Sequence, residues 1–292
     1  VTGVQTCALP ICENRSGRGF LQKQLFKGEH EIGAGIYFEA LKSERRLALI
    51  KYLNDELKKS EIASYDCDNP FEHCPELNEF LINLGDGHYH DHPTHEIKVD
   101  GTAYKTQHFY AKDARTHMMW HLDLAEYGED DRKKEHDMRM LKRQNIETLK
   151  AGAKKGIKSL WVWDRACIDF KKWFEWKRDG IYFLTLEKES NKFEYMSEPE
   201  FDAEDPINYG VVKDERVSAG TSKQVLRRVT YRCPETKKVF RFITNLNFKI
   251  RPGVIAFLYK CRWDIEKTYN TYKHKFNEKK AWGVSETAKS AQ

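Results

Sequence analysis

Residues Ser159–Asp164 read SLWVWD, a short apolar run that ends in a carboxylate. A run of this length, bounded by polar residues, is typical of a buried strand. The polar stretch 135–155 before it stops at Gly156, as a helix does, and predicts a helix. Residues 169–178 and 181–186 after it predict a second helix and another strand. Strands that alternate with helices indicate an α/β fold.

Three further strands are predicted upstream of these elements. Residues 96–104 alternate between apolar and polar side chains, and 106–110 and 118–124 have strand composition. The predicted order is therefore three strands, helix, strand, helix, strand. Farther upstream, the spacing of leucines and isoleucines over 43–59 predicts an amphipathic helix capped by Ser43.

Residues 187–249 interrupt this order and predict a β-rich insertion. Strand-like segments lie at 209–212, 224–233 and 239–246. Residues Pro234–Lys237 have the composition of a tight turn between the last two. Beyond the insertion, Pro252 suits the first turn of a helix, which we expect to continue to about residue 276.

One face of this last helix carries side chains suited to phosphate chemistry. Tyr259, Arg262, Glu266 and Lys273 fall within an arc of roughly 60° at 100° per residue. A carboxylate can bind Mg²⁺, and the other three groups can hold phosphates around it. Cleavage of a phosphodiester needs this combination. The alternative is an ordinary surface helix in which Arg262 and Glu266 form an i, i+4 ion pair.

The charge of the chain is unevenly distributed. The net charge is +5, but residues 216–280 hold 17 Lys and Arg against 4 Asp and Glu, a net +13, which leaves −8 for the rest. A basic C-terminal third favours a polyanion as partner. A solvated basic surface would have the same composition. The seven cysteines are odd in number, and no apolar run is long enough to span a membrane, so a reducing cytoplasm is expected.

The stretch Tyr259-Lys-Cys-Arg262-Trp-Asp-Ile-Glu266, with Lys273 seven residues later, resembles the Y-x2-R-x3-E-x6-K signature of the IS4-type DDE transposases. Its flanks are similar too: a strand, the turn at residues 234–238, the stretch Phe240–Leu246 ending in Thr-Asn-Leu, and then the signature helix. The resemblance covers about residues 96–292.

This resemblance implies an RNase H-like fold, in which a mixed sheet is flanked by helices and a β-rich insertion precedes the last catalytic helix. It also implies that Asp100, Asp164 and Glu266 form a catalytic triad that binds two Mg²⁺ or Mn²⁺ ions. Asp100 could instead occupy a hairpin turn, since Asp-Gly favours one. Asp164 could pair with Arg165 at the strand end. Ala166 departs from the glycine that the family often has there.

The activity implied is cut-and-paste transposition, in which DNA is cleaved at transposon ends and the 3′-hydroxyl is joined to target DNA. Tyr259, Arg262, Lys273 and Arg165 would bind DNA. Trp263 and Trp282 are candidates for base stacking, although core packing would also explain them. Double-stranded DNA, a dimer assembled on it, and a cytoplasmic location with the nucleoid of a prokaryote are expected. Two alternatives remain open: a nuclease with the same carboxylates that only hydrolyses DNA, and an inactive DNA-binding remnant.

These inferences divide the chain into five segments. They are 1–12, which resembles translated sequencing adapter; 13–95, partly helical; 96–186, the first part of the core; 187–249, the insertion; and 250–292, the signature helix with a truncated end. Histidines crowd the predicted loop 85–95, and cysteines lie upstream. The residues concerned are His88, His90, His92, His95, Cys67, His73 and Cys74. Their spacing matches no standard zinc module, so a solvated loop is favoured over a zinc site.

Overall fold

The strands of this protein form one mixed sheet with helices on both faces. The computed structural model describes residues 17–28, 33–59, 69–92, 105–125, 137–219, 223–275, 279–281 and 283–291. The strands are β1 Phe80–His90, β2 Thr106–Asp113, β3 Met119–Leu124, β4 Lys158–Val162, β5 Ile181–Leu186, β6 Phe193–Ser197, β7 Val211–Ala219, β8 Gln224–Arg232 and β9 Val239–Thr244. Their order across the sheet is β3-β2-β1-β4-β5-β9-β8-β7-β6.

Only the centre of the sheet is parallel. Strands β1, β4 and β5 run in the same direction, whereas β2 and β3 on one side and β9 to β6 on the other pair antiparallel. The helices are α1 Gly17–Phe26, α2 Ala34–Leu41, α3 Glu44–Lys59, α4 Asp137–Arg143, α5 Ile146–Leu149, α6 Phe170–Arg178, α7 Pro252–Cys261, α8 Trp263–Lys275 and α9 Glu286–Ser290. Short 3₁₀ turns lie at Pro75–Leu77 and Pro206–Asn208.

The two faces of the sheet have separate hydrophobic cores. Along β4, Leu160 and Val162 point to the face covered by α7 and α8. Trp161 and Trp163 point to the opposite face, where α4, α5 and α6 pack. Burial of both faces explains why SLWVWD is a continuous apolar run rather than an alternating one.

Much of the predicted secondary structure is confirmed. Strands predicted at 106–110, 118–124 and 181–186 correspond to β2, β3 and β5, and the helix predicted at 43–59 corresponds to α3. The mixed α/β class is confirmed as well. Within 187–249, strands β7, β8 and β9 lie near their expected positions, and β6 is an additional strand. These four strands continue the same sheet outward from β5.

The prediction of a loop beginning at Gly85 was wrong, because β1 runs through to His90. The side chains that β1 buries beyond Leu84 are polar, so the sequence lacks the apolar alternation that marks a strand. Strand β1 pairs with β2 and β4 near the centre of the sheet and precedes the boundary expected at residue 96. The strand predicted at 96–104 lies outside the described residues, which resume at Lys105.

Two helices predicted as continuous are each divided. The 135–155 stretch contains α4 and α5, and α5 begins anew because the Asn145 side chain accepts a hydrogen bond from Thr148 N. The long helix after Pro252 is divided at Arg262 into α7 and α8. There Arg262 N bonds to Tyr259 O at 3.1 Å, three residues back, which tightens the turn. None of the described helices combines the length and hydrophobicity that a membrane span requires.

Candidate active site

Asp86 lies on the part of β1 that faces helix α8. Residues alternate across a strand, so Asp86 shares the face of Leu84, which packs into the core beneath α7 and α8. The Asp86 carboxylate accepts a hydrogen bond from Gly87 N at 2.9 Å. Its backbone carbonyl accepts one from the Tyr269 hydroxyl of α8 at 3.0 Å. These contacts fix an acidic side chain beneath the signature helix.

Asp164 follows the neighbouring parallel strand at the same level. Leu84 of β1 is opposite Val162 of β4, so the same register extended by two residues sets Asp86 beside Asp164. Gly85 allows this close approach, because a Cβ there would lie 1.8 Å from Cζ3 of Trp163. The Asp164 carboxylate accepts a hydrogen bond from Arg165 N at 2.7 Å. No ion pair joins Asp164 to Arg165 in the described structure, so the salt-bridge alternative for Asp164 was wrong.

Arg262 connects the third carboxylate to the first. Its Nη1 lies 2.7 Å from Glu266 Oε1 and 3.8 Å from Asp86 Oδ2. The two oxygens are therefore no more than about 6.5 Å apart, the sum of 3.8 Å and 2.7 Å. The Arg262 side chain is only 7% exposed, and its Nε is buried without a hydrogen-bond partner. The i, i+4 pair exists, but its arginine is buried and also contacts Asp86, while Glu266 is half-buried.

The electrostatics of Asp86 show that Glu266 and Asp164 both act on its carboxyl group. Burial raises the pKa of Asp86 to about 7; Arg262 opposes this shift, while Glu266 and Asp164 add to it. A carboxyl group whose ionisation is disfavoured by burial and by two neighbouring carboxylates gains from a nearby cation. A carboxyl group with a strongly shifted pKa beside other acids, such as Asp86, is characteristic of a functional site.

Tyr259 and two more predicted residues surround this cluster. Burial raises the pKa of Tyr259 to about 12, with Arg262 opposing the shift and Asp164 adding to it. The Arg262 guanidinium carbon lies 5.5 Å from the ring centroids of both Tyr259 and Trp263. Trp263 is 55% exposed, so the alternative that it belongs to the core was wrong. Arg165 is exposed and follows the half-buried Asp164 in the chain.

Lys273 lies at the other end of the α8 face, near His88, His90 and Asp91 rather than the three acids. Its charge lowers the pKa of both His88 and His90, after the larger effect of burial. His88, His90 and His108 are buried, with ring centroids of neighbours 4.8 to 4.9 Å apart. His108 Nδ1 is 3.2 Å from His121 Nε2. The expected solvated histidine loop was therefore wrong for His88 and His90.

The structure thus brings together Asp164, Glu266, Arg262 and Tyr259 from the predicted set. Asp100 and Trp282 lie outside the described residues. Asp86 was not among the predicted residues, because the glycines on both sides of it favour a turn and the strand continues beyond it with polar side chains. Across the described part of the chain, no three or more His, Cys, Asp or Glu side chains are arranged to hold a metal ion. Arg262 lies between Asp86 and Glu266 and contacts both carboxylates.

Comparison with known proteins adds no family assignment. The chain matches no protein-family model and no curated protein sequence. Its function must therefore be inferred from the chemistry of the cluster formed by Asp86, Asp164, Glu266, Arg262 and Tyr259.

Proposed function

We propose that this protein is a DDE transposase that cleaves DNA at transposon ends and joins the 3′-hydroxyl to target DNA. The observation that carries this proposal is the meeting of Asp86, Asp164 and Glu266 beside Arg262. Two of these acids come from adjacent parallel strands and the third from the signature helix. We further propose that Asp86 takes the role that the resemblance assigned to Asp100.

The order of elements supports an RNase H-like core. Strands β1 to β3 are antiparallel neighbours, and helices α4 and α5, strand β4, helix α6 and strand β5 follow. This is the succession of three strands, helix, strand, helix, strand that the sequence predicts, with β1 as the first of the three strands and the first helix divided in two. Strands β6 to β9 then correspond to the β-rich insertion, placed between β5 and the helix that carries Glu266.

The donor set suits a hard divalent cation. Carboxylate oxygens are preferred ligands of Mg²⁺ and Mn²⁺, and Asp86, Asp164 and Glu266 would provide them. Two bound ions would supply activation of the attacking oxygen and stabilisation of the leaving oxygen. The raised pKa of Asp86 to about 7 supports this assignment, since a cation would offset the repulsion among the three acids.

The remaining side chains suit a DNA backbone. Arg262 Nε is a buried donor without a partner, and a phosphate oxygen would satisfy it. The exposed Arg165 lies beside the acids, and the exposed Trp263 ring could stack on an unpaired base. Lys273 extends the basic face of α8 away from the acids. Double-stranded DNA as substrate, a dimer on that DNA and a location with the nucleoid in the cytoplasm are parts of this proposal.

A plasmid assay tests the proposal. Wild-type protein with Mn²⁺ should nick supercoiled plasmid and join a labelled 3′-hydroxyl oligonucleotide to it. Asp86→Asn and Asp164→Asn should each lower both rates by at least about a thousandfold, while DNA affinity, measured against salt concentration, barely falls. Asp264→Asn is the matched control, because Asp264 lies on the same helix but pairs with the exposed Lys267.

The other outcomes identify the alternatives. Nicking without joining would indicate the nuclease, and salt-dependent DNA binding without either would indicate the inactive remnant. If Asp100→Asn abolishes cleavage and Asp86→Asn does not, our choice of the first carboxylate is wrong. Activity unchanged by Asp164→Asn would refute the whole assignment.

A further inference from the structure

The Arg262 guanidinium occupies the space between two of the proposed metal ligands. Its Nη1 is 2.7 Å from Glu266 Oε1 and 3.8 Å from Asp86 Oδ2, and the side chain is almost fully buried. Mg²⁺ binds carboxylate oxygens at about 2.0–2.1 Å and requires near-octahedral geometry. A guanidinium and a divalent cation therefore cannot bridge these two oxygens at the same time, and their like charges repel each other.

We infer that Arg262 competes with the divalent cation for Asp86 and Glu266, and that cation binding releases its guanidinium to hold a DNA phosphate. This inference rests on the proposed function, because it assumes that the acids bind a cation. Arg262 then has two successive partners. It first holds Asp86 and Glu266 together, and afterwards it supplies charge-assisted hydrogen bonds to the strand that is cut.

The surroundings of Arg262 provide a path for this exchange. The guanidinium carbon lies 5.5 Å from the ring centroid of buried Tyr259 and 5.5 Å from that of exposed Trp263. A move toward Trp263 would keep one cation–π contact while bringing the guanidinium to the surface. Arg262 also stands at the tightened turn between α7 and α8, and Arg262 Nε has no partner to hold it in place.

Competition and a purely structural role for Arg262 predict opposite effects of its removal on cation affinity. If Arg262 only keeps Asp86 and Glu266 in position, its removal would let the two acids separate, and the cation would bind more weakly. If Arg262 competes, its removal takes away a positive charge within 4 Å of both ligands. The cation would then bind more tightly, by about tenfold or more.

Direct measurement of Mn²⁺ binding separates these roles without relying on catalysis. Free Mn²⁺ is followed by electron paramagnetic resonance during titration of the full chain. Arg262→Ala should lower the Mn²⁺ dissociation constant at least about tenfold relative to the wild type. Arg262→Gln removes the charge while keeping more of the side chain, and it serves if the alanine variant fails to fold. Arg178→Ala is the control, since Arg178 is exposed at the end of α6, which packs on the opposite face of the sheet.

The variants distinguish failure of the inference from failure of the proposed function. Loss of Mn²⁺ binding in Asp86→Asn relative to the wild type would support the cation site. If both neutral Arg262 variants then bind Mn²⁺ equally or more weakly than the wild type, competition is refuted while the cation site stands. If Mn²⁺ binds the wild type, Asp86→Asn and Asp164→Asn with the same low affinity, the proposed function fails and the inference fails with it. Tighter binding in Arg262→Ala or Arg262→Gln, with no change in Arg178→Ala, supports competition.

Discussion

Replacing Gly85 with alanine should damage both the stability and the activity of this protein. A Cβ at Gly85 would lie 1.8 Å from Cζ3 and 2.1 Å from Cε3 of Trp163. Carbon atoms in contact normally stay about 3.5–4.0 Å apart, so the ring or the strand must move by roughly 1.5–2 Å. The ring has little freedom to do so, because it stacks on Phe109 at 5.1 Å and on Trp161 at 4.8 Å.

The magnitude follows from the cost of overpacking a core. Such substitutions destabilise by about 1–3 kcal/mol and occasionally more, and a contact this short belongs at or above the upper end. Activity should suffer separately, because Trp163 precedes Asp164 and Gly85 precedes Asp86. A displacement of about 1 Å in a catalytic group can cost about a hundredfold in rate.

Urea unfolding followed by circular dichroism measures the first effect, and the plasmid assay at low urea measures the second. Gly35→Ala is the control: it lies in α2 with no atom within 4 Å of the new Cβ, and it should stabilise by up to about 1 kcal/mol. Trp163→Phe, which removes part of the clashing ring, should partly rescue Gly85→Ala. A Gly85→Ala protein that unfolds and cleaves like the wild type would refute the described contact between β1 and β4.

Two further predictions concern buried ionisable side chains. Burial lowers the pKa of three histidines, to about 3 for His88, about 4 for His90 and about 2 for His108. The unfolded chain therefore binds more protons below about pH 6.5, so stability is full above that pH and falls by up to about 1.4 kcal/mol per histidine per pH unit toward pH 4. Thermal unfolding at pH 7 and 5 should show this loss and a smaller one in His108→Phe; equal melting temperatures at both pH values would contradict it. Arg227 and Asp214 form a buried pair with bonds of 2.8 and 2.7 Å, so Arg227→Ala should destabilise by about 3–5 kcal/mol in urea unfolding, whereas Arg227→Met with Asp214→Leu should recover most of this. A small effect of the single substitution would mean that the unpaired Asp214 reaches water.

The parts of the site that were predictable from the sequence depend on local periodicity. Tyr259, Arg262 and Glu266 share a helix face at spacings that survive the break at Arg262, because Arg262 itself keeps right-handed helical angles. Asp164 follows an apolar run whose strand character is evident from its composition. Neither inference required knowledge of which strands are neighbours.

Asp86 could not be found in this way. Its strand buries His88 and His90 on the face that periodicity rules expect to be apolar, and the glycines on both sides of Asp86 favour a turn. The role of Asp86 depends on the parallel register of β1 with β4, a contact between residues about 80 positions apart in the chain. Glycine is required at position 85 because the Trp163 ring leaves no room for a Cβ, and not because the chain turns there.

The distance along α8 between Glu266 and Lys273 is similar to the distance along β1 between Asp86 and His90. From Glu266 to Lys273 the helix advances about 10 Å at 1.5 Å per residue, and from Asp86 to His90 the strand advances about 13 Å at 3.3 Å per residue. Glu266 therefore lies near Asp86, and Lys273 near His88 and His90. Lys273 is thus set a turn or more beyond the acids, where, under the proposed function, it would hold a phosphate other than the one being cut. Because Glu266 belongs to a helix and the two aspartates to the sheet, their alignment depends on what joins helix to strand, and among the described side chains Arg262 makes that connection directly.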